Sequence, residues 1–269
     1  MSEPHTRPRL SACIVTLNEA DRIQDCLRSV RWCDEIVVVD SHSTDETRAI
    51  AIAAGARVIE RDWPGYAAQK DFAVRSAAHD WVFCIDADER ASPELQAEII
   101  ALRDMGFGDR VGWEMPRLTW YLGRWIRHGT WYPDYCLRLF DRRRGRWVDH
   151  PAYPLHERLE LDGPPGRLRH ELRHYPYRSF ADHLRTIDHY TTIMAQGLHR
   201  HGRRAHVSDL TLRPLAGFLR FYVLRCGFLD GWRGLLLAYL HAHYVRMKYA
   251  KLLVLERAAA PETPTSAAD

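Results

Sequence analysis

Short apolar runs rich in β-branched residues alternate with amphipathic stretches along the first hundred residues of the chain. The first amphipathic stretch, residues 20–30, has apolar positions at spacings of four and three, which is typical of a helix with one buried face. Further helices are predicted over residues 45–54 and 66–78 and after Ser92. The strand-like runs that precede these helices are LSACIVTLNEA, EIVVVD, ARVIERDW and WVFCIDADE. This alternation predicts an α/β domain whose parallel sheet is covered by helices on both faces.

Two of the predicted helices carry recognisable signals at their ends. Ser43 or Thr44 is positioned to cap the second helix, and Gly55 is positioned to stop it. Ser92 precedes a proline, a combination that favours a capped helix beginning at residue 93.

Acidic residues follow the predicted strands. Glu19 follows the first strand, Asp40 closes the second, and Asp86 and Asp88 close the fourth. The carboxyl ends of parallel strands form one edge of a sheet, where ligands bind. If the strand continues through them, Asp86 and Asp88 project from the same face, and two converging carboxylates favour Mg²⁺ or Mn²⁺. A solvated turn at the strand end is the alternative interpretation of such a pair.

The sequence lacks the glycine motifs that bind phosphate in other nucleotide-binding proteins. No GxGxxG occurs at the first strand-helix turn, and no GxxxxGK[ST] occurs anywhere in the chain. A bound diphosphate therefore needs another positive partner, and a metal on Asp86 and Asp88 is the predicted one.

Composition narrows the class of protein further. The 269 residues are 46% hydrophobic, which is enough for a large folded domain, and the net charge of +3 is too small to indicate a nucleic-acid partner. The six cysteines form no CxxC pair and are interpreted as reduced core thiols. The N-terminal residues do not have the pattern of a signal peptide, so a cytoplasmic location is expected.

Four segments in the first ninety residues resemble the inverting glycosyltransferases of family two, which have a GT-A fold and use nucleotide-sugar donors. The segments are IVTLNEA, VVVDSHSTDET, QKDFAVRSA and IDADE, in the order that the family has them. The resemblance implies roles for several residues at the donor site. Thr16, Asn18 and Glu19 border the nucleotide, Asp40 faces the base, Lys70 approaches the nucleotide, and Asp86 and Asp88 bind the metal and the donor phosphates.

The second half of the chain is similar to a narrower branch, the β-1,4-glucosyltransferases of the lipopolysaccharide or lipooligosaccharide inner core. The matching segments are WYPDYCLRLFDRRRGRW, LHERL and the stretch from Phe218 through GFLDGWRGLLLAYLHAHYVRMKYAKL. This similarity implies transfer of glucose from UDP-glucose to a lipid-linked saccharide. Another surface glycan or a protein is the alternative acceptor. A phosphohydrolase and a non-catalytic nucleotide-binding membrane scaffold are the less favoured alternatives.

Inverting transfer needs a base that removes a proton from the acceptor hydroxyl. Asp134, Asp149 and Glu157 are candidates, and Glu157 is favoured because it matches an HE pair of the branch. His156 could orient Glu157, or bind the acceptor or the metal. Alternatively, Glu157 is a surface partner of Arg158. Asp134, the reserve candidate, lies among aromatic residues that suit sugar recognition or simply belong to the core.

Arg138 is the candidate cation for the leaving diphosphate. The apolar residues around it mean that an inward-pointing side chain would need a phosphate or carboxylate partner. An orientation towards solvent is the alternative.

The chain is predicted to have two parts and a tail. Residues 1–175 form the catalytic domain, with the nucleotide-sugar site mainly in residues 10–100 and the acceptor side in residues 110–160. Residues 176–256 form a helical region, and residues 257–269 have the composition of a disordered tail.

The helical region contains one apolar helical face flanked by basic residues. This face consists of Leu236, Leu240, Tyr244 and Met247. The pattern fits a helix lying on the cytoplasmic face of the inner membrane, or a helix packed on the catalytic domain or in a homo-oligomer. No uncharged run is long enough to span a membrane.

Overall fold

The alternation of strands and helices predicted for the first hundred residues is present in the structure. A computed structural model describes residues 7–149 and 157–258. These residues form two compact units, residues 7–149 with 157–177 and residues 178–258. The expected α/β architecture with a helical C-terminal region is confirmed.

The described part of the first unit contains twelve strands and four helices. In chain order they are β1 (Leu10–Thr16), α1 (Ile23–Val30), β2 (Glu35–Asp40), α2 (Thr47–Ala53), β3 (Arg57–Glu60), α3 (Tyr66–Ser76), β4 (Trp81–Asp86), β5 (Glu89–Ala91), α4 (Pro93–Asp104), β6 (Gly112–Tyr121), β7 (Arg124–Ile126), β8 (Asp134–Asp141), β9 (Gly145–Asp149), β10 (Glu157–Leu161), β11 (Gly166–Arg167) and β12 (Leu172–His174).

Ten of these strands form one sheet with the order β3-β2-β1-β4-β8-β6-β12-β5, and β7 and β11 also pair with β6. The first four strands of this order are parallel, and β8 runs antiparallel to β4. Their registers align Val15 with Asp86 and Thr16 with Asp40. The strand ends that carry the predicted site residues are therefore direct neighbours in the sheet.

Both faces of the parallel strands are buried. On one face Ile14 and Phe83 belong to a core cluster that includes Leu27 of α1, and on the other Val37 and Val39 cluster with residues of α3. Burial of each such side chain contributes roughly 1.5–3 kcal/mol. Because the strands are held from both sides, their carboxyl ends are fixed in position relative to one another.

The helix signals in the sequence were partly correct. The Ser92 hydroxyl accepts a hydrogen bond from Leu95 N at 3.1 Å, and Pro93 is the first residue of α4, as predicted. The prediction that Ser43 or Thr44 caps α2 is wrong, because α2 begins at Thr47 without a side-chain cap. The hydroxyl of Ser43 instead interacts with the loop after β1.

The second unit is helical throughout its regular structure. It contains α5 (Phe180–Arg200), a 3₁₀ turn (Val207–Leu210), α6 (Leu212–Leu219), a π turn (Arg220–Leu224), a second 3₁₀ turn (Gly227–Asp230) and α7 (Trp232–Ala258). Among the described residues, no helix is both long enough and apolar enough to cross a bilayer. The tail predicted to be disordered lies outside the described residues from position 259 onwards.

The predicted apolar face of α7 is not the exposed one. Leu240 is buried, and Leu236, Tyr244 and Met247 are half-buried, so this face packs within the unit. Different apolar residues of α7 are exposed.

A buried histidine of α5 makes the free energy of unfolding sensitive to acid. Burial lowers the pKa of His183 from 6.5 to about 4. The unfolded chain therefore takes up the proton first as the pH falls below 6.5. From pH 7 to pH 4 this residue is expected to reduce the free energy of unfolding by about 3 kcal/mol. Denaturant titrations should show a shallower pH dependence for His183→Gln, whereas the exposed-histidine control His243→Gln should keep that of the unmodified protein. Equal slopes for both variants would contradict the assignment.

Candidate active site

The loops after β1 and β2 are joined by hydrogen bonds between side chains and backbone. Asn18 N donates to the Ser43 hydroxyl at 2.8 Å, and Asn18 Oδ1 accepts from Thr44 N at 2.8 Å. Asp40 is fully buried and accepts hydrogen bonds from both the backbone N and the hydroxyl of Ser43. Asn18 and Asp40 thus set the shape of the edge where the nucleotide contacts are predicted, and those contacts remain predictions.

Glu19 and Thr16 lie at the same edge. The Glu19 carboxylate accepts two hydrogen bonds from Arg22, at 2.6 and 2.7 Å, and Arg22 also donates to Tyr175 O at 2.7 Å. Thr16 is buried, and its hydroxyl has no hydrogen-bond partner within residues 7–149 and 157–258. The buried hydroxyl of Thr16 is therefore a polar group that a ligand at this edge could satisfy.

Asp86 at the end of β4 is held by two cations. Lys70 Nζ of α3 lies 2.9 Å from Asp86 Oδ1, and Arg138 Nη2 of β8 lies 2.7 Å from Asp86 Oδ2. Both cations are buried, with 5% of each residue exposed. The inward orientation of Arg138, with a carboxylate partner, agrees with one of the two alternatives that its sequence context left open.

The ion pairs continue from Arg138 through three further residues. Arg138 Nη2 lies 2.9 Å from Glu89 Oε1, and Arg117 Nη1 lies 3.3 Å from the same oxygen. Arg117 also donates two hydrogen bonds to Asp134 Oδ2, at 2.6 and 2.9 Å, and these two residues are paired across β6 and β8. A chain of alternating charges therefore runs from the end of β4 to the predicted acceptor side.

The charges in this chain fix its protonation. Burial tends to raise the pKa of Asp86, but Lys70 and Arg138 outweigh that effect and hold it well below its usual range. Burial tends to lower the pKa of Arg138, yet Glu89 and Asp86 raise it well above its ordinary value. The Asp86 carboxylate and the Arg138 guanidinium are thus both ionised at neutral pH, as strong charge-assisted hydrogen bonds require.

Glu157, the favoured base, lies beside the same lysine. Its Oε1 is 2.6 Å from Lys70 Nζ, and its side chain is mostly buried. The alternative pairing with Arg158 is not observed, since Arg158 donates to Glu160. Asp149 is the residue opposite Glu157 in the β9–β10 pair and is exposed. His156 lies outside the described residues.

Asp86 and Asp88 do not share the geometry expected of a continuous strand. β4 ends at Asp86, and a turn at residues 87 and 88 precedes β5. Asp88 instead faces β12, where its Oδ2 lies 3.4 Å from His174 Nε2 and its backbone O accepts from Tyr175 N at 2.9 Å. Burial tends to raise the pKa of Asp88, but His174 lowers it overall.

The chemistry of these side chains fits a divalent cation at Asp88 and His174. A carboxylate oxygen and an imidazole nitrogen are suitable ligands for Mn²⁺, and both side chains are partly exposed. Asp86 fits less well because its two oxygens already accept from cations. Within the described ranges no group of three or more His, Cys, Asp or Glu is arranged to hold a metal. Two protein ligands, completed by phosphate oxygens and water, are a usual arrangement for such ions.

Comparison with known proteins identifies the family of the chain. The sequence profile described as "Glycosyl transferase family 2" matches residues 11–146. A lipopolysaccharide core biosynthesis glycosyltransferase, LpsC of Rhizobium meliloti (strain 1021), is 33% identical over 257 residues, covering 90% of this chain and 93% of that protein. The chain belongs to glycosyl transferase family 2. The family resemblance of the four sequence segments is thereby confirmed.

Two solved structures similar to this family-2 glycosyltransferase differ in how much of the chain they cover. S. aureus TarS 1–349 has a TM-score of 0.47 and 15% identity, covering 93% of this chain and 90% of that one. Glucosyl-3-phosphoglycerate synthase from Mycobacterium tuberculosis, in complex with Mn²⁺ and UDP-glucose, has a TM-score of 0.35 and 25% identity over 42% of this chain and 44% of that one.

Three residues of the candidate site were not predicted from the sequence. Glu89 and Arg117 complete the chain of charges, and His174 is the partner of Asp88. The sequence shows Glu89 directly after the DxD, but its fully buried position depends on β8 and β6. His174 is 86 positions away from Asp88, and only the pairing of β12 with β5 and β6 brings it near. No spacing pattern in the sequence signals that approach.

Proposed function

We propose that this family-2 glycosyltransferase moves a hexose, glucose from UDP-glucose, onto a lipid-linked saccharide such as the lipopolysaccharide inner core, with inversion. The observation that carries the proposal is the pair of buried cations, Lys70 and Arg138, that contact Asp86 at the end of β4. Asp88, two positions further on, lies beside His174. The saccharide acceptor is supported by the name of the LpsC relative, which aligns over almost its whole length.

Lys70 and Arg138 are suited to hold the donor diphosphate. Each side chain is buried beside a carboxylate and close to the strand ends. Because both cations are already buried, a phosphate oxygen can replace a carboxylate oxygen as their partner without the cost of burying another charge of the protein. Asp88 and His174 would hold Mg²⁺ or Mn²⁺. The metal would neutralise charge on the leaving nucleoside diphosphate. Asn18 and Asp40 keep the nucleotide edge in shape through their hydrogen bonds.

Glu157 is the proposed base. Its ion pair with Lys70 at 2.6 Å links it to the donor site, because a phosphate that engages Lys70 weakens the hold on Glu157. The released carboxylate can then accept the proton of the acceptor hydroxyl. Asp134, the reserve candidate, accepts two hydrogen bonds from Arg117. Among the described residues Arg117 makes no hydrogen bond to Lys70 or Asp86, so a phosphate bound at Lys70 would not release Asp134 in the same way.

Replacing Glu157 with glutamine is expected to reduce transfer about 10²- to 10⁴-fold, the usual contribution of a general base. Donor binding, measured by calorimetry with the UDP-sugar, should persist because the diphosphate ligands are intact. Glu160→Gln removes a half-buried carboxylate from the same strand, one that pairs with Arg158 and not with Lys70, and should leave transfer unchanged. If Asp134→Asn abolishes transfer while Glu157→Gln does not, Asp134 is the base.

The donor can be identified before any acceptor is known. UDP-, GDP-, ADP- and dTDP-sugars are titrated into the protein with and without Mn²⁺. Metal-dependent binding confined to the UDP-sugars is the expected result, whereas equal binding of all four or preference for another nucleotide would contradict the proposed donor. Release of phosphate without an acceptor would favour a phosphohydrolase, and binding without transfer to any acceptor would favour a scaffold.

The lipid-linked acceptor implies that the enzyme works at the cytoplasmic face of the inner membrane as a peripheral protein. No described helix spans a bilayer, so attachment of the described residues would have to occur through a surface. A surface of the second unit has the chemistry for this.

A further inference from the structure

The second unit exposes large apolar side chains on α6, on the π turn and on the first half of α7. We call these residues the α6–α7 surface; they are Leu212, Leu215, Leu219, Leu224, Trp232 and Tyr239. Leu224 is 76% exposed, Trp232 58% and Tyr239 65%. Single exposed apolar residues are common, but a group of this size on neighbouring elements marks an interaction site.

The exposed residues follow helical periodicity. On α6, Leu212, Leu215 and Leu219 are spaced by three and four residues and lie along one face. On α7, Trp232 and Tyr239 are seven residues apart and also share a face. Each helix therefore presents an apolar stripe outwards.

Aromatic contacts connect the two stripes. The ring of Tyr239 lies 5.5 Å from that of Phe218 on α6, and Phe218 lies 5.5 Å from Tyr222 in the π turn. Tyr222 in turn lies 6.2 Å from Phe228 in the following 3₁₀ turn. The exposed parts of α6, α7 and the two turns are thus one continuous surface of the unit.

Positive charge predominates in the segment that carries this surface, although Arg213 and Lys251 pair with Asp209 and Asp188 outside the segment. Residues 210–255 contain seven Lys and Arg but a single acidic residue, Asp230, which is buried. Arg220 and Arg225 are exposed in the π turn and directly after it, and neither pairs with a carboxylate among the described residues. The whole chain, in contrast, has 38 basic and 35 acidic residues.

Exposed apolar side chains, next to arginines without a carboxylate partner among the described residues, favour an anionic lipid surface as the binding partner over a second copy of the chain. A twofold dimer places the same patch of both subunits in contact, so arginines would face arginines with no exposed carboxylate of residues 210–255 to pair with them. A bilayer with anionic headgroups accepts the arginines, while its acyl region accepts leucine and its interface accepts Trp and Tyr.

We propose that the α6–α7 surface docks the protein on an anionic phospholipid bilayer. Leu224 and Trp232 enter the interface, and Arg220 and Arg225 contact the headgroups. This proposal rests on the proposed function, whose acceptor is lipid-linked, and it specifies which surface meets the membrane. Docking requires neither donor nor metal, so it can be tested separately from sugar transfer.

Co-sedimentation with vesicles tests the proposal. The full-length protein is mixed with vesicles of phosphatidylcholine alone or with added phosphatidylglycerol. Binding should require phosphatidylglycerol and should be lost in the double variant Leu224→Glu/Trp232→Glu. The double variant Arg220→Gln/Arg225→Gln should bind roughly thirtyfold more weakly, since each basic residue near an anionic surface contributes about fivefold.

Matched controls separate these effects from general changes in charge or folding. Ile52→Glu replaces an apolar residue of α2 that is 63% exposed, and Arg31→Gln/Arg110→Gln lowers the net charge by the same amount as the arginine variant. Both should bind as the unmodified protein does. Circular dichroism verifies that each variant is folded. Equal vesicle binding by the α6–α7 variants and the controls would overturn the proposal, as would no binding by the unmodified protein.

A second measurement tests whether a second copy of the chain, and not a bilayer, covers the α6–α7 surface. Sedimentation velocity over a range of protein concentrations should show no self-association that depends on Leu224 and Trp232. A dimer that dissociates in Leu224→Glu/Trp232→Glu, together with vesicle binding that does not change, would show that the surface is a subunit interface and that the lipid proposal is wrong. If sugar transfer to a soluble acceptor fails while vesicle binding persists, the proposed function fails and the docking surface stands.

Discussion

Replacing Asp88 with asparagine is expected to reduce sugar transfer about a thousandfold, because the proposed metal would contribute several kcal/mol of charge stabilisation to the departure of the diphosphate. Asparagine keeps the shape of the side chain but removes the charge that faces His174 at 3.4 Å. The affinity for Mn²⁺, measured by electron paramagnetic resonance without any donor sugar, should fall together with transfer. His174→Gln should lower Mn²⁺ affinity in the same way.

A second histidine-carboxylate pair in the chain provides the control. His170 Nδ1 lies 2.9 Å from Glu98 Oε2 of α4, in a partly buried pair that does not include Asp86 or Asp88. His170→Gln should change neither Mn²⁺ affinity nor transfer. Unchanged Mn²⁺ affinity in both Asp88→Asn and His174→Gln would show that the metal is held elsewhere. A loss of Mn²⁺ affinity in Asp86→Asn alone would place the metal on Asp86, one of the two aspartates predicted from the sequence.

Replacing Arg138 with methionine is expected to lower the free energy of unfolding by about 3–5 kcal/mol. The substitution removes the cation that Asp86 shares with the fully buried Glu89. Lys70 and Arg117 then remain as the cations beside these two carboxylates, and the loss of a buried partner is costly. Urea denaturation followed by circular dichroism measures the effect. Transfer should also be lost, since Arg138 is a proposed ligand of the diphosphate.

A double variant separates the electrostatic cause from lost packing. Adding Glu89→Gln to Arg138→Met removes one of the two carboxylates that lost this cation, so part of the lost stability should return. Arg28→Met breaks an ion pair with Asp25 in which both side chains are well exposed, and it should cost less than about 1 kcal/mol. Equal losses for Arg138→Met and Arg28→Met would mean that the buried charges are not what makes Arg138 important.

The parallel half of the fold was predictable because its signals are local. β2 has the bounds of the apolar run EIVVVD, and α4 begins with the serine-proline pair that the sequence shows. Helix capping after β2 was not predictable in the same way. Ser43 has the right identity for a cap, but Asp40 and Asn18 compete for its hydroxyl and backbone N, and these contacts depend on two loops meeting.

The sequence predicted which strand ends form the candidate site, but it did not predict which charged side chains pair with each other there. The alternation of strands and helices was enough to bring Asp86 near the other acidic residues. It could not reveal that Lys70 and Arg138 share its carboxylate, because Arg138 arrives on an antiparallel strand from a distant part of the chain. The same holds for His174. Long-range pairing of antiparallel strands leaves no periodic signal in the sequence.

The C-terminal region shows a different limit. Hydrophobic spacing identified α7 as amphipathic, but a helix with apolar residues on more than one side does not tell which side is buried. In the structure Leu240 lies inside and Tyr239 outside. That choice depends on where α5 and α6 pack, which the pattern of a single helix does not contain.

Analysis of the transfer product tests directly whether the protein transfers glucose to a lipid-linked saccharide with inversion. The protein is incubated with UDP-glucose, Mn²⁺ and a lipid-linked inner-core saccharide, and the product is examined by mass spectrometry and NMR. The expected product is an acceptor that is heavier by one hexose, in a β linkage that reflects inversion, and no product should form when Mn²⁺ is chelated. An α-linked product, or hydrolysis of UDP-glucose at the same rate with and without acceptor, would contradict it.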